Sequence, residues 1–452
     1  MKKQVLALGT LAVAATAAFA VPQVSEVKWS QPGGVGKVTI SYKLTGAPAI
    51  VTLDILTNAT VATEGVSIGA EHFRNAQGAV NKYLAEDDTY TITWKPSKAW
   101  PGQVVTDDSA RAKVTAWDPA HPPAYMVVDL SNTCAQRVAY YECAQALPEG
   151  LEADVYRTSK MVFRKIDAEG ESYTFGSQSE LGRSSANACG SVAMAADYYL
   201  GVFEVTKAQW ALVCSSRANG FDVEASMRPQ TGVSYINLRC NSHSSFDWGT
   251  SGGTGDARQP PVATSFMGMM RTLVGLDVDL PTESQWEFAA RATHGAGYWG
   301  NGTPMLGATT CANLDKIERY AGNGGVPVEG DENYGKEQTQ WTTSAGSAKV
   351  GSYGANDFGL YDMHGNVSEI CRDFWCTSGN ADVIKGLQSE DGFYYVIGND
   401  NTCVVRGGGW KSASSVCSAC QRTYLKIKRS DWGGAAMDDV GFRVYAPAVA
   451  VK

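Results

Sequence analysis

Cys417-Ser418-Ala419-Cys420 is a C-x-x-C, a spacing that can chelate a metal or close as a redox disulfide. A thiol-disulfide role would need a depressed thiolate pKa and exposure. Cys371 and Cys376 together with Cys417 and Cys420 would supply four thiolates for structural zinc, but an oxidising compartment favours disulfides over such a site. The chain has 11 cysteines, so at least one thiol is unpaired or intermolecular, and the connectivity stays open. The histidines at 72, 121, 243, 294 and 364 have no close spacing, which argues against a facial-triad iron site. No Gly-x-Ser-x-Gly, P-loop or His-Glu-x-x-His occurs. Just upstream of the C-x-x-C runs Arg406-Gly407-Gly408-Gly409-Trp410-Lys411-Ser412. Its consecutive glycines permit close backbone approach or positive φ.

The setting of these residues is read from composition and pattern. Lys2 and Lys3, an apolar run from Val5 to Ala18 and Ala18-Phe19-Ala20 read as a secretory signal over residues 1–20. The chain is therefore expected to be exported, periplasmic or secreted. No later segment holds about 18 consecutive apolar residues, so no membrane span is expected after signal removal. A hydrophobic content of 44% and a charged content of 19% are ordinary for a globular protein. The net charge of −8 argues against a nucleic-acid partner, which would want a basic face.

Residues 21–120 read as an all-β, sandwich-like domain. Val38, Ile40 and Tyr42 alternate with polar neighbours, as do Val51, Leu53 and Ile55, and Tyr90, Ile92 and Trp94. The module vaguely resembles fibronectin type III. Residues 121–154 follow the Pro-rich Asp118–Pro123 and are expected as a stiff linker, which Cys134 and Cys143 could tie down. From 155 to 452 the pattern becomes short strands, long Gly-rich loops and a few helices. Thr206-Lys207-Ala208-Gln209 and Thr282-Glu283-Ser284-Gln285 each fit a capping box. Phe266, Met269, Met270, Leu273 and Val274 form one helical stripe, with the methionines as core filler.

Several motifs then follow in a family's order. They are Gly201-Val202-Phe203-Glu204-Val205-Thr206, Pro261-Val262, Leu280 to Arg291, Gly359-Leu360-Tyr361-Asp362-Met363-His364-Gly365-Asn366-Val367, Arg406-Gly407-Gly408 and Gly441-Phe442-Arg443. Together they resemble the formylglycine-generating enzyme family, the sulfatase-modifying-factor domain, from about Tyr156 to Pro447. The resemblance implies an α+β, C-type-lectin-like fold with few helices, short strands and long loops, preceded here by the β domain.

It also implies which residues to watch. The family's enzymes oxidise a substrate cysteine with copper held by two thiolates. An ungapped match puts Ser412 at the first cysteine and Cys417 at the second, so Cys417 is the candidate catalytic residue and copper is not expected. Ser368 and Ile370 replace the family's two tryptophans, and Gly409 replaces a serine. The family's calcium loop corresponds to Asp362, the carbonyls of Gly365 and Val367, and Glu369, which suits an oxygen-seeking cation. The leading expectation is a divergent binding or structural module acting on an exported protein, peptide or glycan. The alternative is a formylglycine-generating oxidase acting on a cysteine of sulfatases.

Overall fold

The computed structural model describes residues 21–448 except 32–35, 58–64, 103–108, 132–136, 178, 182–189, 215–225, 241–259, 324–345, 376–401 and 427–436. The expected signal segment, Cys134, Cys376 and His243 lie outside the described residues.

The alternating segments near the N-terminus form two antiparallel sheets. In the first, β2 (Val38–Thr45) lies between β1 (Gln23–Ser30) and β7 (Asp88–Trp94). In the second, β3 (Ala49–Thr57) pairs along its length with β8 (Ala110–Trp117). Val38, Ile40, Tyr42 and Leu44 of β2, with Ile92 and Trp94 beside them on β7, share one core with Val51 and Ile55 of β3, and all eight are wholly buried. The alternate residues of β2 are half-buried or exposed, as a period-two pattern requires, whereas β3 is covered on both faces, with Ile50, Thr52 and Leu56 buried as well.

The stretch expected as a linker is built differently. It contains β9 (Tyr125–Asp129) and β10 (Val138–Tyr141), which pair with each other, and β9 also pairs with β11 (Lys160–Ile166). Tyr125-Met126-Val127-Val128 is a continuous apolar run, and Met126, Val127 and Val128 are all buried. A run buried on both faces lacks the alternation that marks a strand in sequence. The sheet continues through β14 (Tyr198–Gly201) to β19 (Tyr445–Pro447), so the end of the described chain closes against its middle.

A second sheet runs β17 (Arg422–Lys426), β16 (Thr402–Arg406), β15 (Ser368–Phe374) and β18 (Val440–Gly441). Helices pack between these sheets. Both expected capping boxes form: Thr206 caps the helix Lys207–Val213, and Thr282 caps the helix Glu283–Arg291. Phe266, Met270 and Val274 are buried on the helix Phe266–Val274, while Met269 and Leu273 pack at its edge. That helix comes so close to Val262 that a Cβ on Gly268 would lie 2.0 Å from the Val262 carbonyl oxygen. The architecture is α+β, with few helices, short strands and long connections.

Candidate functional site

The helix Glu283–Arg291 is buried at every residue, its charged ones included. Buried charges need partners, and these come from distant strands. Arg406, at the end of β16, donates to Glu283 at 2.8 Å, to Glu287, and to the Ala419 carbonyl at 2.5 Å. Arg422 donates to both Glu283 oxygens, at 2.6 and 2.8 Å. Arg291 joins Glu287 at 2.8 Å and Glu180 at 3.0 Å. The result is a continuous buried ion network under the Arg406–Gly409 turn.

Asp373 borders this network. One of its oxygens accepts from the Glu283 N–H at 2.5 Å, and the other is buried without a partner. Burial, and then the Glu283 carboxylate, push its pKa from 3.8 up to about 8. The folded value exceeds the unfolded one, so this contribution to stability is complete below about pH 4 and is lost as pH rises toward 8. Asp373→Asn keeps an acceptor for the Glu283 N–H and removes the ionisation. Its stability relative to wild type is expected to rise by about 1.4 kcal/mol or more between pH 5 and 8. Urea unfolding at both pH values checks this, and parallel curves would contradict it.

Past Arg406 the chain turns through Gly407 at φ 90° and Gly408 at φ 66°. A Cβ on Gly407 would meet the Trp286 ring at 2.9 Å, and one on Gly408 would meet the Cys417 Sγ at 2.9 Å. Close approach is therefore required at both positions. The Ser412 hydroxyl closes the turn by accepting from the Gly409 N–H at 3.0 Å. Cys417 is wholly buried in an apolar cluster with Trp299, Met305, Cys311, Leu314 and Tyr320. Burial, and then the Glu318 carboxylate, push its thiol well above the ordinary range.

His364 holds the same loop. Its Nε2 accepts from the Gly300 N–H at 3.1 Å, which leaves Nδ1 to donate to the Cys417 carbonyl at 3.1 Å. Burial lowers its pKa to about 4, in keeping with this neutral tautomer. Cys420 is also buried, and burial followed by Glu180 pushes its thiol up to about 11. The C-x-x-C thus lacks both features of a reactive pair. Cys371 packs in a different apolar cluster, with Trp286 and Ala419, so Cys371 and Cys417 do not share a pocket. Among the described residues, Cys143, Cys214, Cys240, Cys311, Cys371, Cys403 and Cys417 are free thiols.

The Asp362–Glu369 segment is wound tightly, with Asp362 at φ 58° and Asn366 at φ 57°. Gly365 passes so close to Arg319 that a Cβ would sit 2.6 Å from its carbonyl oxygen. Asn366 fixes the turn, accepting from the Ala348 N–H at 2.8 Å and donating to Glu204 at 2.6 Å. Glu204 also accepts from the Val367 N–H at 3.0 Å.

The two expected carboxylates of this segment have different surroundings. Asp362 accepts from the Gly351 N–H at 2.7 Å through Oδ2, while Oδ1 is buried and unpartnered. Glu369 takes the Arg443 guanidinium on both oxygens, at 2.9 and 2.7 Å from Nε, and the Trp286 indole at 2.8 Å. Glu318 accepts from the His364 N–H at 2.8 Å, and its second oxygen is buried without a partner.

Glu204, Glu318 and Arg443 were not singled out as site residues by sequence. Glu204 and Arg443 lay inside matched motifs, where their types were visible but not their convergence. Glu318 belongs to no motif. Burial raises the pKa of Glu204, Glu318 and Asp362, the last to about 6.

A cavity of about 640 Å³ opens elsewhere on the same domain, lined by Ser172, Tyr173, Ser191, Phe288, Arg291 and His294. His294 is held by Asp357 at 2.7 Å. Aromatic edges beside hydroxyls and one imidazole suit a polar organic ligand. Among the described residues, no helix is long and apolar enough to cross a membrane.

Comparison with known proteins finds a family model, the sulfatase-modifying factor enzyme 1-like domain, that matches residues 158–448. The formylglycine-generating enzyme of Thermomonospora curvata is 35% identical over 104 residues, which is 23% of this chain and 29% of that protein. Chaperone protein LppX of Paenibacillus barcinonensis is 28% identical over 184 residues, 39% of this chain and 61% of that one. The chain thus spans less than two thirds of the length of either relative. Among solved structures, PvdO from Pseudomonas aeruginosa aligns at 17% identity with a TM-score of 0.43, over 63% of this chain and 94% of its own. Treponema denticola variable protein 1 aligns at 19% identity with a TM-score of 0.41, over 64% and 95%.

Proposed function

Because the chain belongs to the sulfatase-modifying factor enzyme 1-like family, we propose that it is a divergent member acting as an exported binding module and not as a copper oxidase. The carrying observation is the wholly buried Cys417. Copper(I) favours paired thiolates, and the thiolate is the reactive form of cysteine. Here Cys417 sits under Gly408 among apolar side chains, with its pKa pushed up. Ser412, at the family's first cysteine, is a hydroxyl engaged in closing its own turn. These residues do not fit a two-thiolate copper centre.

The substrate side supports the same reading. Ser368 and Ile370 are buried in β15 where the family has tryptophans, so no indole is offered there to a peptide. The cavity at Tyr173, Phe288 and His294 is the place for a ligand instead. Its hydroxyls and half-exposed imidazole suit a peptide or glycan, and the net charge of −8 disfavours nucleic acid.

The oxidase remains a second reading because Cys311 and Met305 share the cluster of Cys417 and bring further sulfur near it. Copper(I) stoichiometry in wild type and Cys417→Ser separates the two. The binding module predicts negligible copper in both and no alkylation of Cys417 before unfolding. About one copper per chain in wild type, lost in Cys417→Ser, would establish the oxidase. A peptide and glycan screen with and without calcium is expected to return a ligand, and a chain that binds none in either condition counts against the module.

A further inference from the structure

We propose that the cleft between the N-terminal sheets and the sheet built on β9, β10 and β11 binds a sugar acid, with Arg74 and Arg137 taking its carboxylate. The cleft has a volume of about 330 Å³ and draws its walls from both sides. Arg74, Gln77 and Asn81 come from the N-terminal side. Arg137 precedes β10, Tyr141 ends it, and Lys160 opens β11. Three cations thus share one small cleft in a chain of net charge −8.

The pairing of these cations is what points to a ligand. Arg74 is half-buried and donates through Nε to the Gln145 carbonyl at 2.6 Å. Arg137 is half-buried and donates through Nη1 to the carbonyls of Asp129 and Ser131, at 3.2 and 2.8 Å. Among the described residues, neither guanidinium has a carboxylate within ion-pair distance. Asp129 also lines the cleft, but its carboxylate accepts from the Ser131 N–H at 2.8 Å. Lys160 differs, because Glu149 meets it at 3.0 Å. The two arginines therefore carry the surplus charge. A guanidinium that spends one edge on carbonyls keeps further N–H donors in a fixed fork, and that fork matches a carboxylate.

The rest of the lining selects the body that carries the anion. The volume lies at the low end of small-molecule pockets, about 300–1,000 Å³, so it admits one ring-sized group and not a length of peptide. Gln77 and Asn81 each offer an amide donor and an amide acceptor, which suits neighbouring hydroxyls. Ala76, Val80, Val127 and Ala139 add only small apolar surfaces. The Asn81 backbone is tied to both sides, donating to the Val51 carbonyl at 2.7 Å and accepting from the Tyr140 N–H at 2.9 Å. The cleft is thus held open before any ligand arrives. Beyond Ala76, Val80 and Asn81 lies a second cavity, lined by Asp54, Glu71 and Glu142 with no lysine, arginine or histidine. Its charge repels an anion and confines it to the arginine side. The cleft is separate from the cavity at His294 and is independent of the choice between binding module and oxidase.

The test is calorimetry on the purified protein with galacturonate and glucuronate, set against galactose, glucose, sulfate and glutamate. One uronate is expected to bind per chain, more weakly as salt is raised, with no binding of the neutral sugars. Arg74→Gln and Arg137→Gln should each weaken it at least about tenfold, the worth of one charged hydrogen-bonding group. Phenylglyoxal, which modifies guanidinium groups, gives a readout on wild type that needs no variant to fold. Bound uronate should protect Arg74 and Arg137, as read by peptide mass mapping. The proposal is overturned if neither uronate binds, or if a neutral sugar, sulfate or glutamate binds as tightly. It is equally overturned if bound uronate leaves both arginines as reactive as before.

Discussion

Glu283→Ala is expected to lower the free energy of unfolding by about 3–5 kcal/mol at pH 7, the range for breaking a buried ion pair from one side. Glu283 is wholly buried and is the meeting point of Arg406 and Arg422. Removing it leaves two guanidinium groups in the interior with only part of their partners. Arg406 retains Glu287 and the Ala419 carbonyl, but Arg422 loses both of its Glu283 contacts.

Acid titration supplies an internal check. Burial alone would raise the Glu283 pKa, but Arg422 and then Arg406 outweigh it and hold the group below the usual carboxylate range. The folded value is depressed, so the contribution is present above the unfolded pKa of about 4.3 and is lost as pH falls through the folded one. The deficit of Glu283→Ala should therefore shrink in acid below the unfolded value, and it should also narrow toward pH 8, because removing the Glu283 carboxylate relieves the upward push on Asp373. Glu283→Gln keeps the shape and one acceptor and should lose less. A loss below about 1 kcal/mol for Glu283→Ala would mean that the network is an exposed-type pair of little worth.

The network also shows where sequence reasoning reaches and where it stops. The capping box at Thr282 was legible because its partners lie three residues apart, within one turn. The role of Glu283 was not, because Arg406 lies 123 residues away and Arg422 139. In isolation Glu283 reads as an acid favoured at a helix N-terminus. The helical stripe from Phe266 and the alternating strands near Val38 were legible for the same local reason. β9 was hidden because a strand buried on both faces has no alternation to read. At the candidate site, Cys417 and Ser412 were placed by motif, but the burial of Cys417 depends on segment 299–320, which no local pattern ties to it.

Arg443→Met is the harshest single change expected among the loop residues, at about 3–5 kcal/mol. Arg443 is wholly buried, and it bridges β14, the Tyr361-Asp362 turn and β15 through Gly201, Tyr361 and Glu369. Methionine fills much of the same volume, so lost packing is small and the deficit isolates charge and hydrogen bonding. Glu369 would be left to the Trp286 indole alone while still facing Glu204, Glu318 and Asp362.

Arg443→Lys separates the two contributions. A lysine restores the charge as a point on a flexible stem, but it cannot span Glu369 and the Gly201 and Tyr361 carbonyls as a planar fork does. It is expected to recover less than half of the deficit in chemical denaturation of the calcium-free protein. Full recovery would mean that neutralising Glu369 is all Arg443 does. Partial recovery would assign the remainder to the geometry that ties the two sheets to the Asp362 turn, and would explain why the Arg443 position cannot be read as a mere counter-ion.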